Sequence, residues 1–155
     1  MFLIELPREN SCKTLILMEE KEKKDSAPEI DYGEMIEQAP DPIVVLDNLG
    51  FIKYMNSTAE LISGYRREEL LGKHFAQTGV VAPASMPKAV KEFAQTMTGY
   101  PGAPYRLEMF RKDRKPIVVE INHKPIMREG KVVGVNLILR YVGYKTPDGR
   151  IESQD

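Results

Sequence analysis

Two histidines and one cysteine have the most versatile side-chain chemistry in this sequence. His74 and His123 could each coordinate haem iron or exchange a proton near neutral pH. Cys12 could react as a thiolate, but as the only cysteine it excludes an internal disulfide and a cysteine-based zinc site. No cluster of acidic residues accompanies either histidine along the chain, so we expect no metal site.

The motifs that identify common catalytic sites are absent from the sequence. It lacks the phosphate-binding G-x-x-x-x-G-K-[ST], the dinucleotide-binding G-x-G-x-x-G, the metalloprotease H-E-x-x-H and the nucleophile motif G-x-S-x-G. Its carboxylates fall in predicted caps, turns and linkers. We therefore expect no catalytic residue in this chain.

Length and composition indicate one globular domain with short extensions. The chain has 155 residues, of which 42% are hydrophobic and 29% charged. Its net charge of -1 gives no basic field for polyanions, so we expect no direct nucleic-acid partner. No apolar run reaches the roughly 18 residues of a membrane helix, and residues 1–6 lack the basic start of a signal peptide. With the lone cysteine, these features predict a cytoplasmic location.

The first 30 residues are predicted to form an N-terminal extension and a charged linker. Apolar runs at 2–4 and 15–18 are compatible with a small hairpin, or with one strand added to a sheet edge. A helix is predicted over 31–39, because its first residues have the spacing of a helix start and Met35 and Ile36 give it an apolar side.

A β-hairpin and two short helices are predicted next. The β-branched and aromatic runs 43–46 and 51–55 flank a turn of the type that favours glycine. Asn56 and Glu60 are predicted to cap the first short helix, and Glu60 to pair with a lysine such as Lys73. A longer helix follows and ends at glycine 99; its predicted apolar side comprises Val90, Phe93, Ala94 and Met97.

Three later runs, 105–110, 117–122 and 133–140, alternate apolar and polar residues with period two. Such alternation is typical of antiparallel strands that bury one face. Two strands, several helices and three strands predict an α+β fold: a five-stranded antiparallel sheet with short helices packed on one face. The domain is predicted to span 31–142, and 143–155 to be a polar tail that frays.

An ordered set of short motifs runs through residues 31–142. The set is APDPIVVLD at 39–47, GFI at 50–52, Asn56, AE at 59–60, GY at 64–65, EELLGK at 68–73, RKD at 111–113, VE at 119–120, PI at 125–126 and VVG at 132–134. Together these motifs resemble a PAS domain. The resemblance implies a module that senses small molecules, light, gas or redox state, and that pairs with other PAS domains. It also implies signal transfer through terminal helices to histidine kinases, cyclases or transcription regulators, often in two-component systems.

The resemblance also bears on cofactors. Oxygen-sensing relatives carry their haem-binding histidine on the long helix, where residues 85–98 contain none. Light-sensing relatives place a cysteine beside flavin in the short helices, which here lack one. We therefore expect neither haem nor covalent flavin, and the cofactor is unknown. His74 is expected at the surface, whereas His123 either is structural or lines a pocket.

Apolar residues of the long helix and the later strands have two interpretations. They form either a filled core or a ligand cavity between helix and sheet. The candidate pocket residues are Phe75, Val90, Phe93, Met97, Leu107, Met109, His123 and Leu137. Met35 and Ile36 form the candidate dimer surface.

The leading hypothesis is a sensory and dimerisation module of a two-component type of signalling system, without catalysis of its own. Its expected partners are a second PAS domain, in a homodimer or otherwise, a sensor kinase or response regulator component, and a small-molecule ligand. The chain either acts alone in trans or is part of a larger kinase. The alternative is a ligand-free adaptor of the same fold.

One position departs from the family pattern. PAS domains usually have Asp-Gly in the turn where this chain has Asp113 and Arg114. A two-residue hairpin turn requires positive φ at both positions, which is costly for arginine. We expect either a longer turn or a strained tip.

Overall fold

A computed structural model describes residues 28–153 of the chain. The described residues from Gly33 onward belong to one compact unit, and every strand of the described part lies in it. The hairpin predicted within residues 1–18, Cys12 and the linker up to residue 27 lie outside the described residues.

Short helices precede and separate the strands in the part of the chain that the structure describes. The helices are α1 (Tyr32–Glu37), α2 (Ser57–Ser63), α3 (Arg67–Leu70) and α4 (Met86–Thr96), with 3₁₀ turns at Phe75–Gln77 and Pro83–Ser85. The strands are β1 (Ile43–Asp47), β2 (Ile52–Met55), β3 (Tyr105–Phe110), β4 (Pro116–Arg128), β5 (Lys131–Lys145) and β6 (Ile151–Glu152). Within residues 28–153, no helix is long and apolar enough to cross a bilayer.

The strands form one antiparallel sheet in the order β2-β1-β5-β4-β3. One face of this sheet carries the core, where Leu46, Val119 and Leu139 pack with the helix residues Ala59 and Ala89. The predicted α+β class, with short helices against an antiparallel sheet, is confirmed. Period-two alternation located the later strands because alternate residues such as Ile117, Val119 and Ile121 of β4 belong to the core.

The segment after residue 142 differs from the frayed tail that we expected. β5 continues to Lys145, and Ile151–Glu152 returns as a sixth strand that pairs with Tyr144 and Lys145. The Tyr144 hydroxyl donates a hydrogen bond of 2.5 Å to Glu152. A polar composition did not prevent this hairpin, because strand pairing satisfies backbone groups whatever the side chains are.

Asn56 joins three segments at one point. Its Oδ1 accepts hydrogen bonds from the backbone N–H groups of Ala59 (3.0 Å) and Ile43 (2.9 Å). Its Nδ2 donates to the carbonyl oxygens of Ile36 (2.9 Å) and Asp41 (3.1 Å). The predicted helix cap is therefore confirmed, and the same side chain also fixes the end of α1 and the start of β1.

The inward face of α4 is rotated from the one that the sequence pattern predicted. Ala89 and Thr96 are buried and Phe93 packs against the core, whereas Val90 is 46% exposed and Ala94 is exposed. The pattern counted apolar residues and left out Thr96, because a hydroxyl is usually solvated. Small residues at these positions allow the helix to approach the sheet closely.

The hairpin between β3 and β4 has both a longer loop and a strained tip, the two alternatives expected for a turn with Arg114 in the usual glycine position. The Arg111 N–H donates to the Lys115 carbonyl oxygen (3.1 Å), and the Arg114 N–H to the Arg111 carbonyl oxygen (2.9 Å), which defines a three-residue loop. Arg114 adopts a φ of 68°, in the left-handed region that favours glycine. Its guanidinium lies 6.0 Å from the centre of the Phe110 ring.

Candidate functional site

An internal cavity of about 120 Å³ lies between the helices and the inner face of the sheet. Strands β1 to β5 and helices α2 to α4 all contribute lining side chains. Most of the lining is aliphatic or aromatic, so the same periodic burial that forms the core also surrounds the cavity. The cavity marks a place where helix and sheet do not fill the space between them.

Most of the candidate pocket residues meet at this cavity. Those that line it are Phe75, Phe93, Leu107, Met109, His123 and Leu137. Val90 and Met97 do not, because the rotation of α4 turns Val90 toward solvent and leaves Met97 half-buried outside the lining. Val90 and Met97, which were predicted from the apolar side of the helix, are therefore not pocket residues.

His123 is a buried polar group at one end of the cavity, with 3% of its surface exposed. Its Nδ1 lies 2.6 Å from Thr96 Oγ1, and its Nε2 lies 3.3 Å from the Ala103 carbonyl oxygen and 3.6 Å from Glu92 Oε2. Thr96 Oγ1 also donates to the Glu92 carbonyl oxygen at 2.8 Å. Thr96 and His123 are thus joined by a buried hydrogen bond that links α4 to β4.

Tyr105 lies beside this histidine. Its ring meets the His123 ring edge to face at 5.0 Å between centroids. Burial, with the nearby Glu92 carboxylate, raises the pKa of Tyr105 to about 12, so its hydroxyl keeps its proton at neutral pH. Among the described residues, none forms a hydrogen bond with that hydroxyl, so Tyr105 retains a free donor.

The other hydroxyl groups of the lining already bond to the protein. Thr78 Oγ1 donates to the Phe75 carbonyl oxygen (3.1 Å) and accepts from the Val80 N–H (3.3 Å). Ser63 Oγ accepts from the Tyr65 N–H at 3.2 Å. The lining contains no lysine, arginine, aspartate or glutamate. The cavity can thus surround an uncharged molecule by packing, with few hydrogen bonds.

His74 serves the fold rather than the cavity. Its Nδ1 accepts from the Ala76 N–H (3.1 Å), and its Nε2–H donates to the Leu49 carbonyl oxygen (2.8 Å). Its ring is half-buried and stacks on Phe75 at 4.8 Å between centroids. The side chain therefore caps the 3₁₀ turn and ties it to the hairpin turn before β2.

Arg67 is the centre of an ion-pair cluster that the sequence did not reveal. Its guanidinium contacts the carboxylates of Glu37 (2.5 Å) and Glu60 (2.6 Å). Glu60 thus pairs with Arg67 rather than with a lysine as predicted, and the hydrogen bonds from Arg67 hold the pKa of Glu60 below its usual value. Hydrogen bonds from Arg67, Ser57 and Tyr54 lower the pKa of Glu37 to about 2. We call Glu37, Glu60 and Arg67 the Arg67 cluster; it connects α1 to α2 and α3.

The side chains of Met35 and Ile36 on α1 are 58% and 43% exposed. No residue of α1 is buried. The helix instead contacts the domain through Glu37 and the backbone carbonyl of Ile36. Apolar side chains at adjacent exposed positions leave a surface that a second protein could cover.

Sequence reasoning missed three residues of the site. Thr96 and Glu92 were assigned to no site, and Arg67 was not considered. The i−4 spacing of Glu92 and Thr96 on one helix face was the available signal, but nothing in the sequence located His123 opposite them.

Across residues 28–153, no group of three or more histidine, cysteine, aspartate or glutamate side chains is placed to hold a metal ion.

A model of the PAS fold family matches residues 30–142 of this chain. No curated protein matches it. Among solved structures, it is similar to the PAS domain of a protein from Colwellia psychrerythraea, with a TM-score of 0.65 and 24% identity over 72% of this chain and 93% of that one.

Two regulators are also among the similar structures. One is a domain of a sensory box sensor histidine kinase/response regulator from Geobacter sulfurreducens, with a TM-score of 0.57 and 20% identity over 69% of this chain and 89% of that one. The other is the PAS domain of a LuxR-family transcriptional regulator from Burkholderia thailandensis, solved in complex with ethanol. It has a TM-score of 0.60 and 16% identity, over 73% of this chain and 98% of that chain.

Proposed function

This chain belongs to the PAS family, and we propose that it is a sensory and dimerisation module of a cytoplasmic, two-component type of signalling system. It binds a small molecule in the cavity beneath α4, and it acts by binding rather than by catalysis. The ligand favours one arrangement of helices and sheet, and the change reaches the flanking segments. The apolar cavity carries this proposal, because it offers a ligand a largely preformed apolar site.

Similar domains support a role in signalling. A sensor histidine kinase/response regulator and a transcriptional regulator both contain domains of this fold. The regulator's domain was solved with ethanol, which is a small uncharged molecule. A module of this fold that responds to a small neutral compound is therefore consistent with its relatives.

The Arg67 cluster supplies a route from the cavity to α1. Ala59 and Ile62 on α2 line the cavity, and Glu60 lies between them in sequence. Glu60 holds Arg67, which in turn holds Glu37 on α1. A ligand that shifts α2 changes the geometry of these ion pairs, and thereby the position of α1.

Dimerisation is proposed through the exposed pair Met35 and Ile36. Pairing of two copies covers these side chains and removes their apolar surface from water. The same pair favours a second candidate function, a ligand-free interaction adaptor, because the surface exists whether or not the cavity is filled.

Native mass spectrometry of freshly purified protein tests the proposal. We expect a dimer that retains a small molecule, released when the protein is denatured. The Ala89→Leu variant, which fills the cavity from α4, should lack this mass. A dimer whose native mass equals that of two bare chains would instead favour the adaptor, and a ligand-free monomer would contradict both.

A further inference from the structure

We propose that the cavity selects an uncharged, predominantly apolar molecule about the size of one six-membered ring. This inference rests on the proposed function and narrows it to a class of ligand. Three observations carry it: the volume of the cavity, the absence of charge from its lining, and the engagement of its polar groups with the protein.

The volume limits the occupant to a small molecule. A cavity of about 150 Å³ lined by leucine, isoleucine and phenylalanine is large enough for benzene. The cavity in this domain is slightly smaller, at about 120 Å³, and its lining is of the same kind. Pockets for drug-sized ligands have volumes of roughly 300–1,000 Å³. Flavins and haem exceed the space, whereas a single ring or a short branched chain fits it.

The lining excludes charged ligands. An ionised group moved from water into an apolar cavity requires a partner of opposite charge, without which its burial costs many kcal/mol. No acidic or basic side chain lines the cavity. The carboxylate of Glu92 lies 3.6 Å from His123 Nε2 but does not belong to the lining. Carboxylates, phosphates and amines are therefore disfavoured.

The polar groups of the lining limit hydrogen bonding to about one bond. Thr78 and Ser63 bond to backbone groups, and Thr96 and His123 bond to one another. Tyr105 is the lining residue whose hydroxyl has no partner among residues 28–153. A ligand with several hydroxyl or amide groups would leave them unpaired, and each unpaired group lowers affinity. A single oxygen or nitrogen can be accommodated beside an apolar body.

Two-dimensional ¹H–¹⁵N NMR titrations with toluene, benzyl alcohol and benzoate test the proposal. Benzyl alcohol and benzoate have similar size and differ in charge. We expect toluene and benzyl alcohol to shift the amide signals of cavity residues such as Leu107 and Leu137, and benzoate to leave them in place at equal concentration.

A matched pair of variants locates the binding. Ala89→Leu adds a side chain into the cavity, whereas Val90→Leu enlarges an exposed residue one position along the same helix. We expect at least a tenfold loss of toluene affinity in A89L, which corresponds to about 1.4 kcal/mol, and less than a twofold change in V90L. If A89L does not fold, Leu137→Phe fills the cavity from the sheet instead.

The results of these titrations separate the proposed ligand class from the proposed sensory function. Benzoate binding as tightly as benzyl alcohol, with shifts at the same amides, would overturn the ligand class but leave the sensory function in place. Toluene binding that survives both filling variants would place the site elsewhere and also overturn the inference. If the wild-type protein binds none of the probes, the inference fails; native mass spectrometry then decides the function separately, because a retained molecule would still support it.

Discussion

Thr96 Oγ1 lies 2.6 Å from His123 Nδ1, and both side chains are buried. This hydrogen bond joins α4 to β4 at the end of the cavity. Such a bond contributes modestly when formed, but a buried group left without its partner loses hydration as well. The contact therefore ties the last turn of α4 to β4 beside the cavity.

The first prediction concerns this bond. Thr96→Val keeps the shape of the side chain but removes the hydrogen-bond partner of His123 Nδ1. We expect a loss of about 1–3 kcal/mol in the free energy of unfolding, measured by urea denaturation, because the Nδ1 atom of His123 remains buried without a partner. Thr98→Val is the matched control: Thr98 is exposed and bonds only to the Gln95 carbonyl oxygen. Equal losses in the two variants would contradict a special role for the buried pair.

Glu37 gives a prediction about acid stability. Its pKa is lowered from 4.5 to about 2 by the hydrogen bonds from Arg67, Ser57 and Tyr54. A lowered pKa in the folded state stabilises the protein above pH 4.5, and this contribution is lost as the pH falls toward 2. We expect Glu37→Gln to cost about 1 kcal/mol at pH 7, because the partners are partly solvated, and the cost to vanish near pH 2.

Chemical denaturation of the wild type and the Glu37→Gln variant, from about pH 7 to about pH 2, measures this difference in the free energy of unfolding. The control is Glu68→Gln on α3, because Glu68 is exposed and forms no ion pair with residues 28–153. A destabilisation of E37Q that stays constant across this range would show that Glu37 contributes by packing and not through its charge.

The tip of the β3–β4 hairpin provides a test of backbone strain. Arg114 has a φ of 68°, which costs a non-glycine residue about 1 kcal/mol or more. Arg114→Ala removes the contact with Phe110 but keeps the strain, whereas Arg114→Gly removes both. We expect the glycine variant to be more stable than the alanine variant by about 0.5–1 kcal/mol in thermal unfolding. The reverse order would show that the loop does not adopt the left-handed conformation.

Dimerisation through α1 can be tested by introducing negative charges on its exposed apolar side chains. Met35→Glu combined with Ile36→Glu makes the proposed contact surface acidic, so a dimer that uses it should dissociate because of repulsion between the copies. We expect light scattering coupled to size exclusion to give the mass of one chain for the double variant and of two for the wild type. The free energy of unfolding at low concentration should change by less than about 0.5 kcal/mol, since both residues are exposed. A variant that remains dimeric would place the interface elsewhere.

The strands and the first hairpin could be predicted from the sequence because their signals are local. Alternation at 117–121 placed Ile117, Val119 and Ile121 on the buried face, and the structure has them there. The start of α2 was predicted at Asn56 or Ser57 from the local capping pattern, and the structure has Asn56 as the cap. β6 could not be predicted, because its two residues carry no periodicity and pair only with a strand end that was itself unexpected.

The site was less predictable because it depends on contacts between distant segments. The apolar stripe on α4 gave the wrong phase, since a buried threonine opposite a histidine replaces an apolar residue there. Thr96 and His123 are 27 positions apart in the chain, and no sequence pattern indicates that their side chains meet. Whether a cavity remains between helix and sheet depends on how many side chains pack together, and periodicity predicts only which face is buried.

The attachment of α1 has a physical character different from that of the rest of the domain. The core between the sheet and α4 is formed largely by apolar burial, which does not depend strongly on ionic strength. By contrast, α1 buries no side chain and contacts the domain through the Glu37–Arg67 ion pair and the hydrogen bond from Asn56 to the Ile36 carbonyl oxygen. Added salt screens partly exposed ion pairs. High salt should therefore loosen the N-terminal helix while the body of the domain stays folded, so that the two parts respond separately to the ionic composition of their surroundings.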